Sequence, residues 1–266
     1  MHPSPAQVSA AARDVVKTLK DAGLECCFVG GMACQLYGNP REPNDLDVFV
    51  LSTTWSQEPL KRRVVALNPR FYLVDARNPL ATYKVLWYRV SQGTSSSRLA
   101  SSSLYRTHSS WSDVQIKVDI LLPGTMDIPL FPADKITWNA GLPAAPLILV
   151  LLLKLQGWSQ HRASMESRFR EKQYMDHNDI KMLLSVAHGK GVRILPQATS
   201  EAYIPQEFLV NSVARVAEHG RMYPGCKNDW ARLGFGIPTS SGMTPSSPRM
   251  PSSSKRGFGQ QSEVRN

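Results

Sequence analysis

Cys26-Cys27-Phe28-Val29-Gly30-Gly31, thirteen further residues, then Asp45-Leu46-Asp47-Val48-Phe49-Val50: the fold turns on how this stretch is read. Four apolar residues running into a glycine pair predict a short buried strand that ends where the chain must turn. Met32 to Tyr37 suits a short helix, with Gly38 closing it. At such a strand-to-helix junction a bare backbone can approach phosphate oxygens, and helix-terminal N–H groups point at them. After the polar loop from Asn39 to Asn44, a second strand begins at Asp45. Side chains alternate along a strand, so Asp45 and Asp47 face the same way. Two carboxylates held side by side repel each other unless something positive sits between them.

A third carboxylate, Asp119, lies in Val114-Gln115-Ile116-Lys117-Val118-Asp119-Ile120-Leu121-Leu122, which alternates as a strand should and stops at Pro123-Gly124. Placed between Val118 and Ile120, Asp119 is expected to face away from the core on a neighbouring strand. Mg2+ is the natural partner of such a set, a hard cation that takes oxygen ligands from carboxylates and substrate phosphates. Three carboxylates can hold two ions about 3.5–4 Å apart, a clamp suited to in-line displacement at phosphorus. Taken singly, a glycine pair is an ordinary turn and an acidic pair an ordinary strand edge. Their order along the chain carries the reading.

Working outward, Ser4 and Pro5 suit the start of a helix whose apolar residues (Val8, Ala12, Val15, Val16, Leu19) recur at helical spacing until Gly23. Strands are predicted at Phe71–Val74 and Tyr83–Val90, with a helix between Ser56 and Val65. Beyond Gly124 the texture turns helical: Pro146 to Trp158, Gln173 to His188, Phe208 to His219, and a short helix near Trp230. The fold class is therefore α+β, a mixed sheet with flanking helices followed by a helical part. The expected organisation is a core over 1–125 with a Ser-rich insertion at 91–112, a helical part over 126–236, and a disordered basic Ser/Pro-rich tail over 237–266.

The 266 residues carry 31 Lys plus Arg against 21 Asp plus Glu, a net charge of +10; the tail contributes four basic residues against one acid, +3, and the +7 left on the body favours a polyanionic partner such as RNA or nucleotide phosphates. The most apolar stretch, Leu147 to Leu153, is far shorter than the ~20 residues a bilayer needs, so no membrane span is expected. The first residues show no signal peptide. The four cysteines form no CxxC pair, which suits reduced thiols and an intracellular, cytoplasmic setting. The six histidines show no metal-binding spacing, and Trp138, Trp158 and Trp230 suit core packing.

These motifs resemble the nucleotidyltransferase superfamily with the DNA polymerase β-like fold. Its pattern is a hydrophobic residue and Gly-[Gly/Ser], a spacer, an acidic pair flanking a hydrophobic residue, and a later acid between hydrophobic residues. The chain matches it at Val29-Gly30-Gly31, Asp45-Leu46-Asp47-Val48 and Val118-Asp119-Ile120. Arg41 sits four residues before Asp45, as in many members, although Pro43 replaces their threonine. Lys154, then Lys172, Asp176 and Asp179, is similar to the helical part of the AbiEii-type toxin branch, and uncharacterised fungal members look closest in texture. The resemblance runs roughly from Leu24 to Ala187.

It implies an Mg2+-dependent transferase that moves an NMP from an NTP, ATP among them, to a hydroxyl. RNA or a tRNA end is the first acceptor considered, beside a small hydroxylated molecule or a protein side chain. Asp45, Asp47 and Asp119 would be the catalytic and metal-binding carboxylates for two ions. Gly30, Gly31, Arg41, Lys154 and Lys172 would contact the nucleotide, with Asp176 supporting them and Asp179 structural. The alternative is a protein that kept the fold and lost catalysis, acting in binding or as a scaffold. The sequence names no protein partner.

Overall fold

In the first helix of the computed structural model, α1 (Pro5–Asp21), the Ser4 side chain accepts from the Gln7 backbone N–H while the Gln7 side chain accepts from that of Ser4. This reciprocal pair satisfies two of the donors that a helix start leaves open. The structure describes residues 2–78, 80–90, 114–194 and 203–236. The Ser-rich insertion and the tail expected from the sequence lie outside those residues.

Strand β1 (Cys26–Phe28) runs into α2 (Gly30–Leu36), and β2 (Asp45–Val50) follows. Helix α3 (Gln57–Leu67) and strands β3 (Phe71–Asp75), β4 (Lys84–Arg89) and β5 (Gln115–Leu121) complete the first half. Burial along β2 and β5 alternates: Leu46, Val48, Ile116, Val118 and Ile120 are fully buried, while Asp45, Asp47, Lys117 and Asp119 are half-buried. Further along, Phe49 and Leu121 bury the face that carries the acids, so that face is open only around the charged residues.

The region after Gly124 departs from the helical texture read there. Two three-residue strands, β6 (Thr137–Asn139) and β7 (Leu142–Ala144), form a hairpin that joins the same sheet. The sheet order is β3-β4-β5-β2-β1-β7-β6, so the sheet does not stop at the expected boundary of 125. Strand β7 is parallel to β1, pairing Ala144 with Phe28, and the Tyr37 hydroxyl donates to the Ala145 carbonyl at 2.7 Å. Trp138, assigned from sequence to the core, is instead 62% exposed on the outermost strand.

Helix α4 (Leu147–Ala163) is longer than the apolar run that announced it and buries residues on every side. A helix hydrophobic all round belongs inside. It packs against α2 on one side and α5 (Ser167–Gly189) and α6 (Gln206–Met222) on the other, with α7 (Lys227–Leu233) against α5. Trp158 and Trp230 are fully buried, and each packs edge-on to His219. Burying each large side chain contributes on the order of 2–3 kcal/mol. Among the described residues no helix is long and apolar enough to cross a membrane.

Candidate functional site

Strands β2 and β5 are parallel neighbours, and their register pairs Asp45 with Lys117 and Asp47 with Asp119. Alternation puts all four side chains on one face, a square of three carboxylates and one ammonium. The Lys117 Nζ sits 2.5 Å from Asp119 Oδ2, with both side chains roughly one-third exposed. Lys117 was not singled out in the sequence, although its position two residues before Asp119 already placed it on that face.

The glycine turn closes on the Asp47 corner of this square. Gly30 adopts φ +57°, and a Cβ built on it would lie 1.9 Å from Asp47 Oδ2. Only glycine tolerates both the conformation and the approach. The Val29 N–H donates to the Asp47 carbonyl at 3.0 Å, fixing the end of β1 against β2. Gly31 is crowded differently, since a Cβ there would meet Arg41 Nη2 at 3.2 Å and Pro43 Cβ at 3.3 Å.

Gly30 and Asp47 open into a cleft of about 610 Å³, its open mouth included. Leu121, Met126 and Ile128 give it an apolar wall, and Lys154, His161 and Asp176 line it from the helical part. The turn that carries Met126 is held by Gln156 from α4, whose Nε2 donates to the Met126 carbonyl at 3.1 Å and to Asp127 Oδ2 at 3.3 Å. Both Met126 and Asp127 are in the left-handed region, φ +54° and +58°. Asp45, Asp119, Gly31, Arg41 and Lys172 are not among the residues that line the cleft.

Arg41 is engaged elsewhere. Its Nε and Nη2 donate to the two oxygens of Asp179 at 3.1 and 2.8 Å, a bidentate pair, and Asn39 Nδ2 adds a third bond at 2.7 Å. Lys154 Nζ reaches the same carboxylate at 2.8 Å and Asp176 Oδ1 at 3.3 Å. Burial works to raise Asp179, but the hydrogen bonds from Arg41 and the charge of Lys154 hold it below the usual carboxylate range. Burial likewise works against the charge on Lys154, and Cys34, Asp179 and Asp176 more than offset it, so its pKa is raised. Asp176 Oδ2 also accepts from His161 Nδ1 at 2.6 Å, which places the imidazole proton on Nδ1. Asp179, 1% exposed, is thus a tie between the loop before β2 and the helical part. Lys172 is exposed and lies over the Phe169 ring at 5.4 Å.

Magnesium is the ion implied by the sequence resemblance, and the donor set suits it. Burial, then the charges of Asp45 and Asp119, push the Asp47 carboxyl up to about 7. A carboxylate taken out of water beside two others is unfavourable when ionised, and a divalent ion held by oxygen ligands relieves that cost.

A second cluster has metal-binding residue types, although the histidine spacing gave no sign of it. One ligand atom from each of His177, His219 and Cys226 lies within 4.8 Å of the others. Its hydrogen bonds close without an ion. Trp230 Nε1 can only donate, and it donates to His219 Nδ1 at 3.1 Å. The proton of neutral His219 is then on Nε2, and it donates to His177 Nδ1 at 3.1 Å. A metal on Nε2 would force a proton onto Nδ1, against the Trp230 N–H.

A scan against family models finds no match, and a search of curated proteins finds none either. Among solved structures, the chain is similar to an antigenic nucleotidyltransferase-like protein from Paracoccidioides brasiliensis, with a TM-score of 0.57 at 14% identity. The likeness covers 89% of this chain and 96% of that one, so the two share a fold over nearly their whole lengths.

Proposed function

We propose, from this nucleotidyltransferase-like fold and its carboxylate face, that the protein transfers a nucleoside monophosphate from an NTP to a hydroxyl acceptor. The carrying observation is the contact of Gly30 with Asp47 in a cleft, with Asp119 paired beside Asp47 on the next strand. A net charge of +10 favours a polyanionic acceptor, RNA or a tRNA end.

In the reaction the acceptor oxygen bonds to the α-phosphorus while the bond to the bridging oxygen of pyrophosphate breaks. Asp45, Asp47 and Asp119 would hold magnesium. When bound, the metal supplies neutralisation of the triphosphate and acidification of the acceptor hydroxyl. Gly30 lets the turn abut the Asp47 carboxylate where a side chain would fill the space. Asp119, once clear of Lys117, accepts the hydroxyl proton. Lys154, held as a cation by Asp176 and Asp179, offsets negative charge along the cleft. Leu121, Met126 and Ile128 offer an apolar surface to base and sugar.

A second reading, nucleotide binding without transfer, is favoured by the engagement of Asp119 with Lys117. One experiment separates the two: each labelled NTP with Mg2+ and total cellular RNA, beside an Asp47→Asn control. Label on RNA that requires Asp47 supports transfer and names the nucleotide. Label on the protein moves the acceptor to a protein side chain. Mg2+-dependent NTP binding with no label on either leaves the second reading standing beside transfer to a small hydroxylated acceptor, and no NTP binding at all refutes all of them.

A further inference from the structure

We infer that Lys117 competes with divalent cations for Asp119, so that the carboxylate face binds metal only by displacing its own ammonium. The inference rests on the reading of Asp45, Asp47 and Asp119 as metal ligands and assigns a role to a residue which that reading leaves out.

Three observations carry it. First, strand register fixes the Lys117 backbone beside Asp45 and two residues from Asp119 on the same face, so the lysine stays next to the carboxylates whichever way its ammonium turns. Second, its ammonium already engages an oxygen of the Asp119 carboxylate, with Nζ 2.5 Å from Oδ2. Third, the pair is exchangeable. The Lys117 and Asp119 side chains are 39% and 35% exposed, whereas Asp179, which holds Arg41 and Lys154, is 1% exposed. Ion pairs open to water are weak, so a divalent ion can take Asp119 from a single ammonium. The displaced Lys117 still lies beside the ion and repels it, and affinity drops for both reasons. Arg41 and Lys154 are committed to Asp179 and Asp176 and do not compete in this way.

The probe is Mn2+, read by electron paramagnetic resonance of the free ion over the full-length protein, with no turnover required. Lys117→Met and Lys117→Gln are expected to bind Mn2+ about 10-fold tighter than the wild type. Lys117→Arg, which keeps the charge, stays within about threefold of the wild type on the same grounds. Lys84→Met, which loses an exposed partner of Asp75, controls for the lost charge alone and leaves affinity unchanged. In an Asp119→Asn background, adding Lys117→Met should tighten binding less than it does in the wild type, because the shared carboxylate is gone and only the repulsion remains to be relieved.

Lys117 variants that bind Mn2+ no tighter than the wild type, where the wild type binds, overturn the competition and leave the metal site standing. Binding by Lys117→Met where the wild type shows none supports it in its strongest form. No Mn2+ binding by any of the proteins removes the metal site itself, and the competition with it.

Discussion

Replacing Gly30 with alanine tests the site at its tightest contact, and Gly23 supplies the matching control. Both glycines have positive φ, +57° and +76°. Alanine at either position bears the left-handed strain of an L-residue, about 1–2 kcal/mol. A Cβ at Gly23 meets nothing within 4 Å, whereas at Gly30 it meets Asp47 Oδ2 at 1.9 Å and Cγ at 2.8 Å. To restore ordinary contact the carboxylate must retreat by roughly 1.5 Å, more than the ~1 Å misplacement that can cost about 100-fold in rate. Gly23→Ala should therefore lose about 1–2 kcal/mol in urea unfolding and keep full NTP binding and transfer. Gly30→Ala should lose at least as much stability, fold by circular dichroism, and transfer about 100-fold more slowly. The assay is paired, with urea denaturation and labelled-NTP turnover on the same preparations. If the two variants proved equal in turnover, the contact between Gly30 and Asp47 would have no role in the site.

Asp179→Ala strands Arg41, Lys154 and Asn39 and should cost about 3–5 kcal/mol in chemical denaturation, since it breaks a buried ion pair on one side. His219 is held neutral because burial, and then His177, push it down to about 3, so the unfolded chain binds a proton there that the folded chain refuses. Stability from this group is complete above about pH 6.5 and is lost as pH falls towards the folded value, by about 2 kcal/mol at pH 5. In His219→Gln, where the amide can still accept from Trp230 and donate to His177, denaturation midpoints between pH 7 and 5 should flatten; a slope equal to the wild type would contradict the assignment. Asp47 has the opposite sign. Its raised pKa gives stability that is full below about 3.8 and is lost as pH rises through about 7. Asp47→Asn should thus stabilise the metal-free protein at pH 8, by about 1–3 kcal/mol after allowance for solvent screening, while abolishing transfer. A thermal melt that is unmoved or lowered at pH 8 would contradict the raised Asp47 value, whose first cause is burial.

The fold was legible where local periodicity and local chemistry agree. Leu46 and Val48 between Asp45 and Asp47, and Ile116, Val118 and Ile120 around Lys117 and Asp119, state strand, face and burial at once. Strands β6 and β7, three residues each, are too short for a period to register, and they were absorbed into the helical part. The start of α5 was read too late because Arg168, Arg170, Glu171 and Lys172 have no apolar stripe to mark a helix. The pair between Arg41 and Asp179 spans 138 positions, and that between His177 and His219 spans 42. Single sequences carry no signal for such pairings, since the partners meet only after the sheet and helices have packed. Lys117 differs, because the alternation that placed Asp119 also placed the lysine. A single ammonium among acids simply drew less attention than the acids did.

The tie through Asp179 has an evolutionary consequence. Cutting after β5 would remove β7 from the flank of β1 and leave the guanidinium of Arg41 without its counter-ion, directly against Gly31. The carboxylate-bearing half is therefore no portable module. Its helical companion cannot be exchanged for another helical part unless the newcomer brings an acid to the same spot.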